Sequence, residues 1–244
     1  MKSLFEKIDY KKALLDSKRP LPKYTLKSIK ENLLLEWTYN SNAIEGNTLT
    51  LQETKVVLEG ITVGGKTLRE HLEVINHREA ILCVEEIVEK EEELSEWQIK
   101  NIHRLVLKGI SDEYAGIYRN QNVIISGATH IPPDFLHVPD EMKEFITWYE
   151  KEAYKLHPIE KAAYVHIAFV GIHPFVDGNG RTARLLMNLE LMKNGYPPIV
   201  IRAENRLEYY NALDKAHTTG DFNDFTKLVA IEAERSLDMY LKFI

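Results

Sequence analysis

The sequence predicts an all-α fold, because signals for the start of a helix recur along the chain and strand patterns are rare. Hydrophobic residues make up 44% and charged residues 28% of the 244 residues, as in folded globular proteins. A serine or threonine followed three positions later by glutamate or glutamine is a capping box, which begins a helix. Three such pairs are taken here as helix starts, and two prolines also suit a first helical turn: Thr50 with Glu53, Thr67 with Glu70, Ser95 with Gln98, Pro139 and Pro158.

Four helices are predicted in the first half of the chain. Thr25 caps a helix that runs towards Glu45. The three capping boxes begin helices that extend to about Leu58, Lys90 and Lys108. We expect residues 1–92 to form an N-terminal helical region, and residues 93–244 to form a core with the C-terminal helices.

The second half is predicted to be helical apart from one segment. Helices open at the two prolines, a third ends at Asn194 before Gly195, and two more fill residues 204–218 and 222–242. The exception is residues 122–131, where β-branched side chains flank Ser-Gly-Ala. This pattern predicts a short β-hairpin.

Residues 173–184, His-Pro-Phe-Val-Asp-Gly-Asn-Gly-Arg-Thr-Ala-Arg, precede an apolar helical run. The glycines therefore lie on a loop that opens a helix, where free N–H groups and the helix dipole bind an anion. Arg181 and Arg184 share a face and can reach the same anion. Asp177 supplies a hard oxygen ligand of the kind that holds Mg²⁺, and His173 can accept a proton near neutral pH. The pattern indicates attack on a nucleotide phosphate.

Two other motifs suggest different chemistry. Residues 60–67, Gly-Ile-Thr-Val-Gly-Gly-Lys-Thr, match the P-loop pattern. A P-loop follows a buried strand, whereas a capped helix precedes this segment, so we expect a glycine-rich turn between helices. His157, His166 and His173 lie near Asp177 in sequence, but they are nine and seven positions apart and form no His-x-x-x-His pair, so we do not expect zinc.

Residues 41–47, Ser-Asn-Ala-Ile-Glu-Gly-Asn, form a second informative segment. Ser41 and Glu45 are one helical turn apart on one face, and Gly46 follows as a helix stop. The helix dipole disfavours a glutamate at the C-terminal end of a helix. Such a placement suggests a partner elsewhere, with Arg184 as the candidate; the alternative is a solvent-exposed glutamate at a helix end.

Residues 173–184 match the full motif of the Fic family, His-x-Phe-x-Asp/Glu-Gly-Asn-Gly-Arg-x-x-Arg, and the chain resembles that family from about Thr25 to Thr219. Residues 41–47 resemble the inhibitory motif Ser/Thr-x-x-x-Glu-Gly/Asn of Fic proteins whose inhibitory helix, here about 30–46, precedes the core. The resemblance implies a helical bundle with a β-hairpin flap over the active site. It also implies a protein adenylyltransferase that transfers AMP from ATP to a Ser, Thr or Tyr hydroxyl of a target protein.

The resemblance further implies a role for each candidate residue. His173 would be the catalytic base, Asp177 the Mg²⁺ ligand, and Glu45 with Ser41 the inhibitory pair that occupies Arg184. Phosphate and nucleotide contacts are expected from Gly178, Asn179, Gly180, Arg181, Arg184, Tyr209 and Tyr210, the two tyrosines stacking on the base or simply packing. The edge of the flap would pair with the target through Val123, Ile124, Ile125, Ser126 and Gly127.

Several alternatives stay open at this point. In some Fic proteins the same glutamate aligns water that removes AMP, so a de-AMPylase using this site is a second activity. A catalytically silent regulatory or toxin–antitoxin interaction module, and a donor other than ATP, are further alternatives. Expected partners are ATP and a protein target, which includes the chain itself; a homodimer also stays open.

The composition of the chain argues against two classes of partner. The net charge is −6 without a basic stripe, so we expect no nucleic acid partner. We expect no membrane partner, because no apolar run approaches the ~20 residues that span a bilayer. A single cysteine, Cys83, and an N-terminus without a signal-peptide pattern lead us to expect a cytoplasmic protein.

Overall fold

The computed structural model describes residues 2–244, and these residues form ten α-helices with no β-strand among them. None of these helices is both long and apolar enough to cross a membrane. Short 3₁₀ turns occur at Phe135–His137, Ala153–Lys155 and Ala203–Asn205. The helices are α1 (Lys2–Ser17), α2 (Lys23–Ile44), α3 (Leu51–Leu58), α4 (Leu68–Glu89), α5 (Glu96–Leu107), α6 (Val138–Lys151), α7 (Pro158–Ile172), α8 (Asn179–Lys193), α9 (Arg206–Thr219) and α10 (Asn223–Phe243).

Four of the helices, α3, α4, α5 and α7, begin after a residue whose side chain caps the N-terminus. The three predicted capping boxes form at the N-termini of α3, α4 and α5, each with both reciprocal hydrogen bonds. Helix α2 begins at Lys23 rather than after Thr25, because Pro22, with φ of −56°, takes the N-cap position. Thr25 therefore lies inside the first turn.

Helix α1 has no counterpart among the predicted elements. Its buried residues, Ile8 and Leu15, are seven positions apart and lie on one face, which packs against α10. Lys11 adds contacts to Glu234 (2.7 Å) and Asp238 (2.6 Å). The apolar stripe of α1 is narrow, so this helix depends on α10 for its stability.

The predicted β-hairpin over residues 122–131, which we call the flap segment, is wrong in its secondary structure. A turn closes where Ala128 N–H donates to Ile125 O (3.2 Å), but no strand pairing follows. Instead, the N–H groups of Thr129 and His130 donate to the Asp214 carboxylate (2.7 and 3.0 Å). Hydrogen bonds to a distant helix thus take the place of the hydrogen bonds that would join the two strands of a hairpin. Of the five predicted target-positioning residues, Val123 and Ile125 are half-buried, whereas Ile124, Ser126 and Gly127 are exposed.

Helix α8 lies at the centre and packs against α2, α4, α5 and α7. It is buried on nearly every side: Leu185, Leu186 and Leu189 are inaccessible, and Arg181 and Arg184 are each only 2% exposed. Buried polar side chains need hydrogen-bond partners, so the surrounding helices must supply groups for the two arginines. The packing of α8 therefore decides which residues meet at the site.

The predicted boundary at residue 92 falls in the connection between α4 and α5. One main core contains side chains from both sides of that boundary, among them Trp37, Val84, Ile99 and Phe169. A small second cluster of Leu49, Val57 and Val74 lies between α3 and α4. The division into two regions stays a prediction.

Residues 60–67 form the connection between α3 and α4, as expected for a turn between helices. Lys66 Nζ donates to the backbone oxygen of Thr48 (2.6 Å), and Thr67 is the N-cap of α4. A helix precedes the segment where a P-loop requires a strand. The P-loop pattern is therefore coincidental here.

Candidate active site

His173 stands at the junction of α7 and the motif loop. It is the C-cap residue of α7 and has φ of +50°, an uncommon value for a residue with a side chain. Such a conformation persists where surrounding groups fix it. Arg119 does so here: its Nε donates to His173 O and its N–H to Pro174 O, both at 2.9 Å. A buried arginine thus holds the backbone that presents the imidazole.

Two side chains fix the loop beyond His173. Asn179 accepts from the N–H of Phe175 (3.0 Å) and donates to its carbonyl (2.8 Å). Nδ1 of His103 accepts from Gly116 N–H (2.9 Å), so Nε2 carries the proton and donates to Asp177 O (2.8 Å). The side chain of Asn179 therefore closes the loop, and only its backbone is left for a phosphate.

The N-terminus of α8 is already covered by a carboxylate. Gly178, the N-cap, has φ of +78°, and the first turn begins at Asn179. A Cβ on Gly180 would clash with Oε1 of Glu45 and would come within 3.2 Å of Arg184 Nη1. Helix N-termini bind anions through free N–H groups and the dipole. An internal carboxylate therefore lies where an external anion would bind, and only glycine leaves room for it.

Arg184 connects this carboxylate to α2. Its Nη2 donates to Glu45 Oε1 (2.7 Å) and to Ser41 O (2.9 Å), and its Nε donates to Ser41 Oγ (3.0 Å). Arg184 is 2% exposed, whereas the Glu45 side chain is 32% exposed. The structure thus brings Ser41, Glu45 and Arg184 together as one hydrogen-bonded group.

The two candidate tyrosines lie in different surroundings. Tyr209 is buried and accepts from Arg184 Nη1 (3.1 Å), while its hydroxyl donates to Nε2 of His166 (3.0 Å). Tyr210 is 43% exposed and donates to Ile44 O (3.1 Å) at the end of α2. Tyr209 thus orients Arg184 from inside the core, whereas Tyr210 anchors the end of the helix that carries Glu45.

Asp177 lies among cations. Its Oδ1 accepts from Gly178 N–H (2.6 Å) and from Arg181 Nη2 (3.1 Å), and Oδ2 accepts from Arg69 Nη2 (2.6 Å). Although burial opposes it, these partners hold the pKa of Asp177 below its usual value. Glu73 faces Arg181 from α4, with Oε1 3.4 Å from Nη1.

The donor set suits one divalent cation that shares its ligands with phosphates. Asp177 is ionised at neutral pH and presents Oδ2 outside the loop, so it fits Mg²⁺, which usually takes one or two carboxylates plus phosphate oxygens. The histidines considered for zinc do not meet: His157 bonds to Asp9 (3.0 Å), and His166 bonds to Tyr209. Within residues 2–244, no group of three histidine, cysteine or acidic side chains could hold a metal by itself.

Burial controls the protonation of the histidines around the loop. It lowers the pKa of His103 and of His173 from the ordinary 6.5 to about 4, since a charged ring loses its solvation there. Neighbouring Arg119 lowers the pKa of His173 further, whereas Glu45 raises it. His173 is therefore neutral at physiological pH, the form that accepts a proton.

These shifts predict a loss of stability in mild acid. The unfolded chain binds protons on these histidines near pH 6.5 and the folded chain only near pH 4, so stability falls as the pH drops between those values. At pH 5 each contributes a loss of about 2 kcal/mol. Urea unfolding between pH 4.5 and 7 measures this, and His103→Gln should make the pH dependence shallower. Equal slopes for both proteins would contradict the assignment.

Four residues of the site have no counterpart among the predicted candidates: Arg69, Glu73, His103 and Arg119. Glu73 and His103 lie on helices that periodicity predicts, but their burial depends on how α4 and α5 pack against α8. Arg119 lies in the irregular connection between α5 and α6, where no local pattern marks it. Of the four, only Arg69 could have been noticed in the sequence. It is a cation in the first turn of a predicted helix, where the helix dipole disfavours a positive charge.

Comparison with known proteins places this geometry in a family. The model of the Fic/DOC family matches residues 93–191. A protein adenylyltransferase Fic of Nematostella vectensis is 41% identical over 241 residues, which cover 98% of this chain and 56% of that protein. Protein adenylyltransferase fic-1 of Caenorhabditis elegans is 39% identical over 84% of this chain and 41% of its own length. The chain thus spans about half the length of the curated relatives it matches.

Solved structures agree with this placement. A Fic domain containing signaling protein from Bacteroides thetaiotaomicron superposes with a TM-score of 0.89 at 32% identity, covering 97% of this chain and 96% of that one. Fic-1 from C. elegans superposes with a TM-score of 0.88 at 34% identity, covering 98% of this chain and 72% of that one. With more than two thirds of both structures matched above 30% identity, this chain belongs to the Fic/DOC family.

Proposed function

We propose that this chain is a protein adenylyltransferase that transfers AMP from ATP to a Ser, Thr or Tyr hydroxyl of a target protein. One observation carries the proposal: a neutral histidine stands beside a helix N-terminus whose anion site an internal carboxylate fills. Curated relatives at 41% and 39% identity are named protein adenylyltransferases, which supports the same reaction.

The phosphates of ATP would bind at the N-terminus of α8. Backbone N–H groups at Asn179 and Gly180 and the helix dipole stabilise the anion, whereas the N–H of Gly178 is already bonded to Asp177 Oδ1. Arg181 binds phosphate charge beside Asp177, and Arg184 binds the γ-phosphate. A Mg²⁺ ion held by Asp177 would neutralise charge on the α- and β-phosphates.

His173 would act as the general base. It is neutral near pH 7, and Arg119 holds the backbone that presents it. The imidazole takes the proton of the target hydroxyl while the oxygen attacks the α-phosphorus. The bond between that phosphorus and the bridging oxygen breaks, and pyrophosphate leaves. Positioning and charge stabilisation dominate, as in other phosphoryl transfers.

We further propose that Glu45 inhibits this reaction. While Glu45 is paired with Arg184, the arginine is occupied and the carboxylate lies against Gly180. A triphosphate would meet a like charge there and would lack its clamp, so its α-phosphorus would be misplaced for attack. Displacing the end of α2 removes both obstacles at once.

De-AMPylation of a modified target is a second candidate. Glu45 uses Oε1 for Arg184 while its side chain remains about one-third exposed (32%). The other oxygen can therefore accept a proton from water beside His173. AMP without a γ-phosphate does not compete for Arg184, so this reaction is compatible with the paired state.

The flap segment is proposed to guide the target. Its arms do not pair with each other. Ile125 O and the N–H groups of Ala128, Thr129 and His130 are already bonded, so an added strand would pair with the remaining backbone groups around Ile124, which is 89% exposed. His130 Nε2 donates to Gly171 O (2.9 Å), which ties the segment to the end of α7 next to His173. A target strand bound there would bring its hydroxyl near the imidazole.

Label transfer tests the proposed reaction. The full chain carrying Glu45→Gly, incubated with Mg²⁺ and ATP, should incorporate label from the α-phosphate, but not from the γ-phosphate, into itself or lysate proteins. Intact mass should rise by one AMP per modified hydroxyl. Label from the γ-phosphate alone would indicate a kinase, and no label from either would favour a silent interaction module.

A further inference from the structure

Arg69 makes a contact that the proposed reaction does not explain. It is the second residue of α4, and its side chain is 57% exposed. The helix dipole disfavours a cation in a first turn. Its guanidinium nevertheless extends across to the motif loop, where Nη2 donates to Oδ2 of Asp177 at 2.6 Å. The ion pair with Asp177 forms although the helix dipole disfavours a cation at this position, which suggests that the charge of Arg69 has a role at the motif loop.

The two carboxylate oxygens of Asp177 have different hydrogen-bond partners. Oδ1 is bonded within the motif, to Gly178 N–H (2.6 Å) and Arg181 Nη2 (3.1 Å). Among the described residues, Oδ2 receives a hydrogen bond only from Arg69. A cation that binds Asp177 without breaking the loop must therefore take Oδ2. Mg²⁺ binds oxygen at about 2.0–2.1 Å, so it and the guanidinium cannot use this oxygen together.

Glu73 determines where the guanidinium points. Its Oε1 accepts from Arg69 Nε (3.1 Å), and its Oε2 accepts from Asn47 Nδ2 (2.9 Å). Glu73 is 9% exposed, so its carboxylate is held between these partners and Arg181. Glu73 thus holds the Nε side of the Arg69 guanidinium, and this directs Nη2 at Asp177. A surface arginine without such a partner would not be oriented in this way.

We propose that Arg69 sets the metal affinity of the site by competing with the divalent cation for Oδ2 of Asp177. The inference rests on the proposed function, because that function places a Mg²⁺ ion at Asp177. Metal binding must displace the guanidinium towards solvent and overcome repulsion between two cations. This restraint is distinct from Glu45, which acts on Arg184 and lies on another helix.

Calorimetry with ADP tests the proposal without measuring turnover. ADP lacks the γ-phosphate, so the pair between Glu45 and Arg184 can stay intact. ADP is titrated into wild type and Arg69→Gln, once with Mn²⁺ and once with EDTA. With Mn²⁺, Arg69→Gln should bind ADP about 3- to 10-fold more tightly, because a competing charge is gone. With EDTA its affinity should not increase, and Mn²⁺ paramagnetic resonance provides a second readout.

Arg78→Gln is the matched control. Arg78 is a half-buried arginine of α4 that is also paired with a carboxylate, Glu79 (2.8 Å), but it does not contact Asp177. It should leave ADP binding unchanged in both buffers. Equal Mn²⁺-dependent affinity of wild type and Arg69→Gln overturns this inference alone. Weaker binding of Arg69→Gln in both buffers makes Arg69 a phosphate ligand and also overturns it. No ADP binding by any of the proteins overturns the proposed function as well.

Discussion

Replacing Glu45 by glycine is expected to raise AMP transfer by a factor of about 10 to 100. The change removes the carboxylate that contacts Gly180 and pairs with Arg184 at 2.7 Å. Hydrogen bonds between charged groups contribute about 1.5–3 kcal/mol, and each 1.4 kcal/mol corresponds to a tenfold change in rate. Arg184 keeps its bonds to Ser41 and Tyr209 and becomes free to bind phosphate. Initial rates of label transfer from α-labelled ATP measure the effect.

Glu59→Gly is the matched control for this change. Glu59 is the C-cap of α3 with φ of −81° and ψ of 1°, close to the −85° and 4° of Glu45, and a glycine follows each. The control therefore makes the same backbone change at a helix end whose glutamate pairs with Lys55 and not with Arg184. It should leave the rate at the wild-type level. Equal label incorporation by wild type and Glu45→Gly would contradict the inhibitory role.

Removing His173 from the activated Glu45→Gly protein is expected to lower AMP transfer by about 10²- to 10⁴-fold, the usual contribution of a general base. Because His173 has φ of +50°, alanine introduces backbone strain at this position. His173→Asn avoids this objection, since asparagine tolerates the left-handed region. Both variants should lose activity while retaining nucleotide binding, which calorimetry with ADP checks.

His137→Ala serves as the control for the loss of a histidine. His137 lies in the exposed 3₁₀ turn before α6 and is not part of the site. Its replacement should leave the rate of the activated protein unchanged. Wild-type rates for His173→Asn would show that the proton of the target hydroxyl leaves by another route.

Local chemistry made the helices predictable. A capping box satisfies its own orphan N–H groups from residues three apart, so Thr50, Thr67 and Ser95 mark helix starts without any tertiary information. Helix α1 has two buried residues and depends on α10, so its sequence pattern is weak. The flap segment has strand-like composition, but Asp214, more than 80 positions later, takes the N–H groups that a hairpin would have paired.

The site divides in the same way. The motif loop follows from one contiguous pattern, and spacing within one helical turn places Ser41 and Glu45 on one face. Their contact with Arg184, 139 to 143 positions later, was expected only from the resemblance to the Fic family, because it depends on how α2 packs against α8. The surroundings of Tyr209 do not follow, because burial and contact with His166 depend on how α9 packs on α7. The supports from Arg119 and His103 are likewise contacts between distant segments.

The sequence alone determined the all-helical class, the family, and the glycine-rich loop that opens α8, because capping, periodicity and a contiguous motif are properties of neighbouring residues. Only the tertiary structure decided that a carboxylate occupies the α8 N-terminus, that Arg69 covers Asp177, and that the flap segment is unpaired. Each of these depends on which buried charges and N–H groups find partners when helices far apart in sequence pack around α8.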